Sequence, residues 1–215
     1  RVMLARKARL VKHNSRLSQG NLLDIGTGTG YFPHFMQERG WHVSAIEKSP
    51  QARQFAKEHF ELDVAAPEAL NEFADKSFDV ITLWHVMEHL EHLNETWETL
   101  KRILKDQGIL IIAVPNPTSF DAEKYKEMWG AYDVPRHLWH FSPSVMQQFG
   151  AKHDFILCER HPMPFDAFYV SMLSEKYRKS AFPFIKGLIT GAEAWIVSLA
   201  KKDRSSSMIY VFRKK

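Results

Sequence analysis

Three glycines separated by single threonines, at residues 26–30, restrict the fold of this chain more than any other feature. The apolar residues 21–25 before them predict a buried strand, and residues 31–39 after them predict a helix. Because glycine lacks a Cβ and adopts positive φ readily, a ligand can approach the main chain of such a turn closely. The following helix N-terminus offers unpaired N–H groups to an anionic group. The sequence therefore predicts a ligand-binding strand–turn–helix unit.

Strand and helix patterns alternate over the first 115 residues. Residues 109–114 are apolar at every position, which is typical of a parallel strand covered on both faces. Alternation of this kind predicts right-handed crossovers with helices on both faces of the sheet. The predicted strands are 21–25, 41–46, 60–64, 78–83, 108–114, 155–159 and 208–213, and the predicted helices are 2–17, 31–39, 50–59, 93–104, 142–150, 165–179 and 184–201.

Glu47 closes the second predicted strand, 21 positions after Gly26. A carboxylate at this place can accept two hydrogen bonds from ribose hydroxyls. The dinucleotide fingerprint G-x-G-x-x-G requires a third glycine at position 31, where this chain has Tyr31. A nucleotide-binding oxidoreductase is therefore the weaker alternative, and the pattern present is G-x-G-x-G preceded by Asp24.

The segment from Asp24 to Gly30 resembles motif I of the class I S-adenosylmethionine-dependent methyltransferases. Residues 84–90, W-H-V-M-E-H-L, are similar to the ubiquinone-methyltransferase-like branch, often grouped as methyltransferase 23. The resemblance is specific over residues 20–115 and looser elsewhere, and further matching stretches are residues 77–81, 108–112 and 208–213.

The resemblance implies an α/β fold with a Rossmann-like, seven-stranded, mostly parallel sheet, helices on both faces and an antiparallel last strand. A helical insertion is expected at about 162–205, before that strand. We expect residues 1–215 to form a single methyltransferase domain. Its parts are an N-terminal helix (1–20), a cofactor-binding half (21–115) and a substrate-side half (116–215).

The implied cofactor is S-adenosylmethionine, with S-adenosylhomocysteine as product. In such proteins the glycine turn holds the methionine portion, the acidic residue after the second strand binds the ribose, and residues after the third strand lie near the adenine. Side chains at the end of the fourth strand line the cofactor. The residues that the resemblance assigns to cofactor binding are Asp24, Gly26, Thr27, Gly28, Gly30, Glu47, Asp63, Val64, Trp84 and His85.

Four polar side chains, His85, Glu88, His89 and His92, recur at spacings that would place them on one face of a continuous helix. Imidazole and carboxylate ligands of this kind suit a metal ion. The alternative is a polar helix start in which Glu88 caps the helix or forms an ion pair. We assign no metal ligand from the sequence, and both interpretations stay open.

A second histidine-rich segment, residues 133–143, follows the fifth strand and resembles the D-x-P-R-H-L stretch of the same branch. A histidine there, with His137 as the candidate, can serve as a general base because imidazole side chains exchange protons readily near neutral pH. Arg136 can orient an anionic substrate, or it can simply pair with Asp133. The catalytic candidates are thus His137, Arg136 and His85.

We expect a methyltransferase acting on a small-molecule acceptor, with oxygen as the expected acceptor atom. A non-catalytic cofactor-binding scaffold is a further alternative. Methyl transfer needs mainly positioning, and a base only where the acceptor must lose a proton. A lipophilic or aromatic acceptor is expected, because the segment 165–199 is rich in apolar residues. Core packing, dimer contact, a lid and a membrane-surface helix are the alternatives for that segment.

The net charge of +4 arises largely from basic residues near the two ends of the chain. Solvated termini explain this pattern without a nucleic-acid partner, and no nucleic acid is expected. A homodimer is compatible with the apolar segment 165–199.

The sequence has no signal-peptide pattern, so a cytoplasmic location is expected. The single cysteine, Cys158, lies in an apolar strand pattern and is predicted to be a core residue.

Overall fold

A seven-stranded sheet forms the centre of the protein in the computed structural model, which describes residues 1–215. The strand order is β3-β2-β1-β4-β5-β7-β6, and only β7 runs antiparallel to its neighbours. The predicted fold class is confirmed. The strands are β1 (Asn21–Ile25), β2 (His42–Ile46), β3 (Val64–Ala65), β4 (Phe78–Trp84), β5 (Leu104–Pro115), β6 (Phe155–Met163) and β7 (Ser207–Lys214).

Eight α-helices connect and cover these strands. Ser142 caps its helix, since its hydroxyl accepts a hydrogen bond from the Val145 backbone N–H, and Pro143 occupies the first turn. The helices are α1 (Val2–Ser15), α2 (Tyr31–Gln37), α3 (Pro50–Phe60), α4 (Leu93–Ile103), α5 (Phe120–Tyr125), α6 (Pro143–Lys152), α7 (Asp166–Tyr177) and α8 (Pro183–Ala200).

Hydrophobic side chains bury both faces of the sheet. On one face, Trp97 of α4 packs within a cluster that includes Leu110 of β5. On the other face, Val11 of α1 and Phe35 of α2 belong to a cluster that includes Ile111. Neighbouring β5 residues therefore reach opposite cores, which explains why this strand is apolar at every position.

Two sequence predictions are wrong at the level of single elements. The third strand, predicted at 60–64, is limited to Val64–Ala65, because α3 continues to Phe60 and ends at Glu61 in a left-handed conformation. Cys158 is exposed rather than buried. Its strand, β6, lies at the sheet edge and pairs with β7 alone, so its side chains are only partly covered.

The helical insertion formed by α7 and α8 exposes apolar side chains and packs its small residues between the two helices. Small residues of α8 face α7, and a Cβ built on Gly187 would lie 2.5 Å from the Cα of Met172. Core packing is wrong for the outward side chains, which are exposed, whereas the dimer, lid and membrane-surface interpretations stay predictions. None of the helices has the length and apolar character needed to span a bilayer. The exposed apolar residues of this face are Phe165, Tyr169, Phe182, Phe184, Ile185, Leu188, Ile189, Ile196 and Leu199.

Candidate functional site

The glycine turn between β1 and α2 is held against the end of β2. The backbone N–H groups of Gly26 and Thr27 both donate to the Ile46 carbonyl, at 2.8 and 3.1 Å. All three glycines have positive φ. A Cβ on Gly26 would lie 2.3 Å from a Val86 methyl carbon, whereas a Cβ on Gly28 would meet no atom within 4 Å. Gly26 is therefore required by packing, and Gly28 leaves the main chain accessible to a ligand.

Glu47 follows β2 and turns its carboxylate onto the glycine turn. Its Oε2 accepts a hydrogen bond from the Gly28 N–H at 2.8 Å, and its Oε1 accepts one from the Ser49 N–H at 2.8 Å. An ionised carboxylate has about four acceptor positions, so two remain for other donors. The structure thus brings together the two features that the sequence associated with cofactor binding.

Asp24 lies beneath the turn and is almost completely buried. Burial raises the pKa of this carboxyl to about 6, and the hydrogen bond from the Thr82 hydroxyl at 2.5 Å opposes the shift. The Thr27 hydroxyl is also buried and, by its interaction with the Asp24 carboxyl, likewise opposes the rise in the Asp24 pKa. Asp24 therefore supports the turn from inside the protein.

Asp63 and Val64, the residues expected near the adenine, lack the direct hydrogen bond to the glycine turn that Glu47 makes. Asp63 precedes β3, its side chain is 92% exposed, and its nearest cation is Lys57 at 3.5 Å. The end of β3 that approaches Glu47 is Ala65, whose carbonyl accepts the Glu47 N–H at 3.0 Å. Val64 pairs with Ala45 of β2 one position earlier.

His85 directly follows β4 and has a positive φ of 59°. Its Nε2 lies 3.2 Å from the Asp166 carboxylate, and its Nδ1 lies 3.3 Å from the Glu88 carboxylate. Burial lowers the pKa of His85, but the hydrogen bonds to Asp166 and Glu88 outweigh burial and raise the pKa to about 9. The side chain is therefore an imidazolium at neutral pH, which supplies positive charge and does not accept a proton.

Residues 85–92 do not form the continuous helix that would place the four polar side chains on one face. Only Met87–His89 form a short 3₁₀ turn, and His92 lies at the N-cap of α4, because the left-handed conformation of His85 interrupts helical geometry. A different partner, His137, completes a cluster instead. Donor atoms of Glu88, His89 and His137 lie within 4.8 Å of one another.

The two histidines of this cluster are oriented by backbone carbonyls. His89 Nδ1 lies 2.9 Å from the Arg136 oxygen, and His137 Nδ1 lies 2.8 Å from the Ala131 oxygen. Because a carbonyl only accepts hydrogen bonds, each Nδ1 donates, and each neutral ring keeps its lone pair on Nε2. Such nitrogens, next to the buried Glu88 carboxylate, can accept a proton or ligate a divalent metal.

Arg136 has the structural arrangement that the sequence left open as an alternative. Its side chain is 72% exposed, and its Nη2 lies 2.7 Å from the Asp133 carboxylate. The loop that contains Arg136 is hydrogen-bonded to the residues that follow β4, since the Leu138 N–H donates to the Glu88 carbonyl at 2.8 Å. The Trp139 indole N–H also donates to the Leu90 carbonyl at 2.7 Å.

Sequence reasoning missed two charged residues at this site. The ammonium of Lys7, in α1, lies 4.3 Å from the centre of the Trp84 ring, and Asp166, in α7, pairs with His85. A signal for Lys7 existed, because it lies on the same helical face as Ala8 and Val11, which are buried. No local pattern points to Asp166, which is 81 positions from His85.

Comparison with known proteins identifies the family. The sequence profile described as a methyltransferase domain matches residues 1–158. The chain therefore belongs to this methyltransferase family, which confirms the resemblance and overturns the oxidoreductase alternative.

Curated relatives are methyltransferases as well. An uncharacterized methyltransferase of Staphylococcus carnosus is 33% identical over 112 residues, which cover 51% of this chain and 53% of that protein. The mitochondrial ubiquinone biosynthesis O-methyltransferase of Schizosaccharomyces pombe is 30% identical over 105 residues, covering 45% and 38% of the two chains. The chain spans about half the length of the curated relatives it matches.

Solved structures share the fold. The phosphoethanolamine N-methyltransferase 2 of Haemonchus contortus, in complex with S-adenosyl-L-methionine, superposes with a TM-score of 0.63 at 20% identity, covering 98% of this chain and 52% of that chain. The geranyl diphosphate C-methyltransferase of Streptomyces coelicolor superposes with a TM-score of 0.61 at 14% identity, covering 98% and 80%. These neighbours methylate different kinds of atom by name, so the shared fold leaves the acceptor atom open.

Proposed function

We propose that this protein transfers a methyl group from S-adenosylmethionine to a small-molecule acceptor. The observation that carries the proposal is the contact between Glu47 and the glycine turn, where the Glu47 carboxylate lies beside the open main chain at Gly28. A turn accessible to ligand and a carboxylate with unused acceptor positions are the two parts that a ribose-containing cofactor requires.

The residues fit the cofactor in separate roles. The turn from Gly26 to Gly30 would hold the methionine portion, and Glu47 would accept hydrogen bonds from the ribose hydroxyls. Trp84 and His85, at the end of β4, would line the cofactor. When bound, S-adenosylmethionine supplies a methyl group on a positively charged sulfur, and S-adenosylhomocysteine is the product. The assignment of Asp63 and Val64 to the adenine depends on the family resemblance alone.

Catalysis would then depend on positioning and on one proton acceptor. His137 is the candidate base, because its Nδ1 donates to the Ala131 carbonyl and its Nε2, 3.8 Å from the Asp133 carboxylate, keeps a lone pair that can accept a proton. His85 is a candidate for charge stabilisation, since its pKa of about 9 keeps it cationic at neutral pH. Arg136, which is exposed, is a candidate for attracting an anionic acceptor.

Oxygen is the acceptor atom that we propose. The O-methyltransferases among the sequence relatives support this choice, and so does the candidate base, because a hydroxyl must lose its proton before or during attack. An amine acceptor that is already neutral would not need His137 in this role.

Calorimetry separates the proposal from its alternatives. We expect S-adenosylmethionine and S-adenosylhomocysteine to bind, and NADH not to bind. A panel of phenols, quinone precursors and saccharides, with production of S-adenosylhomocysteine as the readout, tests turnover. Cofactor binding without turnover of any acceptor would favour the non-catalytic scaffold, and absence of S-adenosyl ligand binding would contradict the proposal itself.

A further inference from the structure

A cavity of about 270 Å³ lies between α1 and the edge of the sheet. Its apolar wall includes Leu10 of α1, Trp84 of β4 and Met163 of β6. This volume lies just below the range of about 300–1,000 Å³ that is typical of ligand pockets, so the cavity suits only a small molecule with a single ring. None of its lining residues belongs to the glycine turn, but it shares Trp84 with the predicted cofactor site and therefore adjoins that site.

The polar wall of this cavity is entirely basic. Arg6, Lys7, Arg9, His13 and His161 line it, and it is lined by no aspartate or glutamate. Three of these groups already have partners, because Arg6 donates to the Pro162 carbonyl at 2.9 Å, and His161 and His13 lie 2.7 and 3.9 Å from the Glu159 carboxylate.

Lys7 is the basic group whose surroundings are least matched to its charge. Its ammonium lies 4.3 Å from the Trp84 ring centre and 5.5 Å from the Phe32 ring centre. Burial lowers the pKa of Lys7, while the carboxylates of Asp24 and Asp166 oppose this shift. The indole N–H of Trp84 is buried without a hydrogen-bond partner. An anionic ligand would provide an acceptor in a place where charge is poorly solvated.

The position of the cavity connects it with the reaction. Trp84 is the last residue of β4, and Ile209 pairs with Ala113 near the end of β5. Both therefore lie at the carboxyl edge of the parallel strands, the edge that carries the glycine turn and where α/β sheets bind ligands. The Lys7 ammonium lies 4.3 Å from the Trp84 ring centre, at this same edge.

We propose that this cavity binds the methyl acceptor, that the acceptor is a small apolar molecule carrying a carboxylate, and that Lys7 selects for that carboxylate. The inference rests on the proposed function, since it names the substrate class of a methyltransferase. Lys7 would pair with the carboxylate while the apolar wall covers the ring. The basic wall disfavours cationic acceptors by charge repulsion.

The experiment uses methyl-¹³C methionine NMR, because Met3 and Met163 both line the cavity. The protein, with S-adenosylhomocysteine present, is titrated with 3,4-dihydroxybenzoate and, separately, with the uncharged 3,4-dihydroxybenzamide. We expect the Met163 methyl signal to shift with both probes and the carboxylate to bind about tenfold more tightly, as one charge-assisted hydrogen bond provides. Equal affinity for the two probes, or no shift of Met163 with the carboxylate, would overturn the inference.

Three variants identify the residue responsible. Lys7→Met keeps the length of the side chain and should remove the preference for the carboxylate, whereas Lys7→Arg should retain it. Lys12→Met, on the exposed side of the same helix, is the matched control and should behave as the wild type. Thermal unfolding establishes that each variant is folded. Calorimetry with S-adenosylhomocysteine separates a failure of this inference from a failure of the proposed function. Intact cofactor binding without carboxylate preference contradicts only this inference.

Discussion

The Glu47 carboxylate accepts the backbone N–H of Gly28 at 2.8 Å, so the acidic residue after β2 and the turn after β1 form one unit. A second backbone donor, the Ser49 N–H, holds the other oxygen at 2.8 Å. The side chain is therefore preorganised, and little conformational entropy remains to be lost when a ribose binds.

Replacement of Glu47 should weaken cofactor binding more than it weakens the fold. We expect Glu47→Ala to reduce the affinity for S-adenosylhomocysteine by roughly a hundredfold to ten-thousandfold, because two charge-assisted hydrogen bonds of about 1.5–3 kcal/mol each are at stake. Calorimetry measures the affinity. Glu58→Ala, an exposed carboxylate of α3, is the control and should bind normally. An unchanged affinity for Glu47→Ala would contradict the ribose role.

Replacement of Gly26 by alanine should mainly reduce stability, whereas replacement of Gly28 should mainly reduce cofactor binding. Gly26→Ala places a Cβ 2.3 Å from a Val86 methyl carbon and should destabilise the protein, and Val86→Ala in the same chain should restore much of the stability. Gly28→Ala meets no atom within 4 Å. It should cost only about 1 kcal/mol for the positive φ, yet it should impair cofactor binding.

Chemical denaturation and calorimetry together separate these two effects. A Gly28→Ala protein that binds S-adenosylhomocysteine as tightly as the wild type would show that the open side of the turn does not hold the cofactor. If Val86→Ala gives no recovery in the Gly26→Ala background, then contact with Val86 is not the reason for the glycine.

His85 should make the stability of the protein depend on pH. Its pKa is about 9 in the folded protein and 6.5 in the unfolded chain, so the folded state binds the proton more tightly. The resulting stabilisation is complete below about pH 6.5 and is lost as the pH rises through about 9. Denaturant unfolding of wild type and His85→Phe at several pH values measures the difference, which should shrink over that interval.

Asp166 provides the independent test of the cause. Asp166→Asn removes one of the two carboxylates that hold the His85 proton, and the imidazole pKa followed by NMR should fall. Asp203→Asn, an exposed carboxylate paired with Arg160, should leave the His85 titration unchanged. A His85 pKa near 6.5 in the wild type would contradict the ion-pair interpretation.

Much of the fold was accessible from sequence because periodicity reports on burial. Strand β1 has the predicted bounds, and β5 is apolar at every position because both of its faces are buried. The failures concern properties that depend on distant residues. Cys158 is exposed because β6 is an edge strand, and edge position depends on the order of all seven strands.

The candidate site shows the same division. The glycine turn and Glu47 were predicted because their spacing in sequence reflects adjacent parallel strands. The contact of Glu88 with the His137 region could not be predicted, since a loop after β5 brings these residues together over 49 positions. The positive φ of His85 also cannot be seen in a spacing pattern. It prevents a continuous helix over residues 85–92, so the four polar side chains do not share one helix face.

Helix α8 exposes apolar side chains and turns its small residues towards α7, and this arrangement gives the last prediction. Ile189 and Leu199 are more than half exposed, so replacing either with glutamine should change the free energy of unfolding by no more than about 0.5 kcal/mol. Gly191→Val is the contrasting change, because a Cβ there would lie 2.7 Å from the Cα of Phe168, and it should destabilise by at least about 1–3 kcal/mol. Denaturant unfolding at low protein concentration measures both. A loss of more than about 1 kcal/mol for Leu199→Gln would mean that this face is covered in the folded protein, by another copy or by another segment.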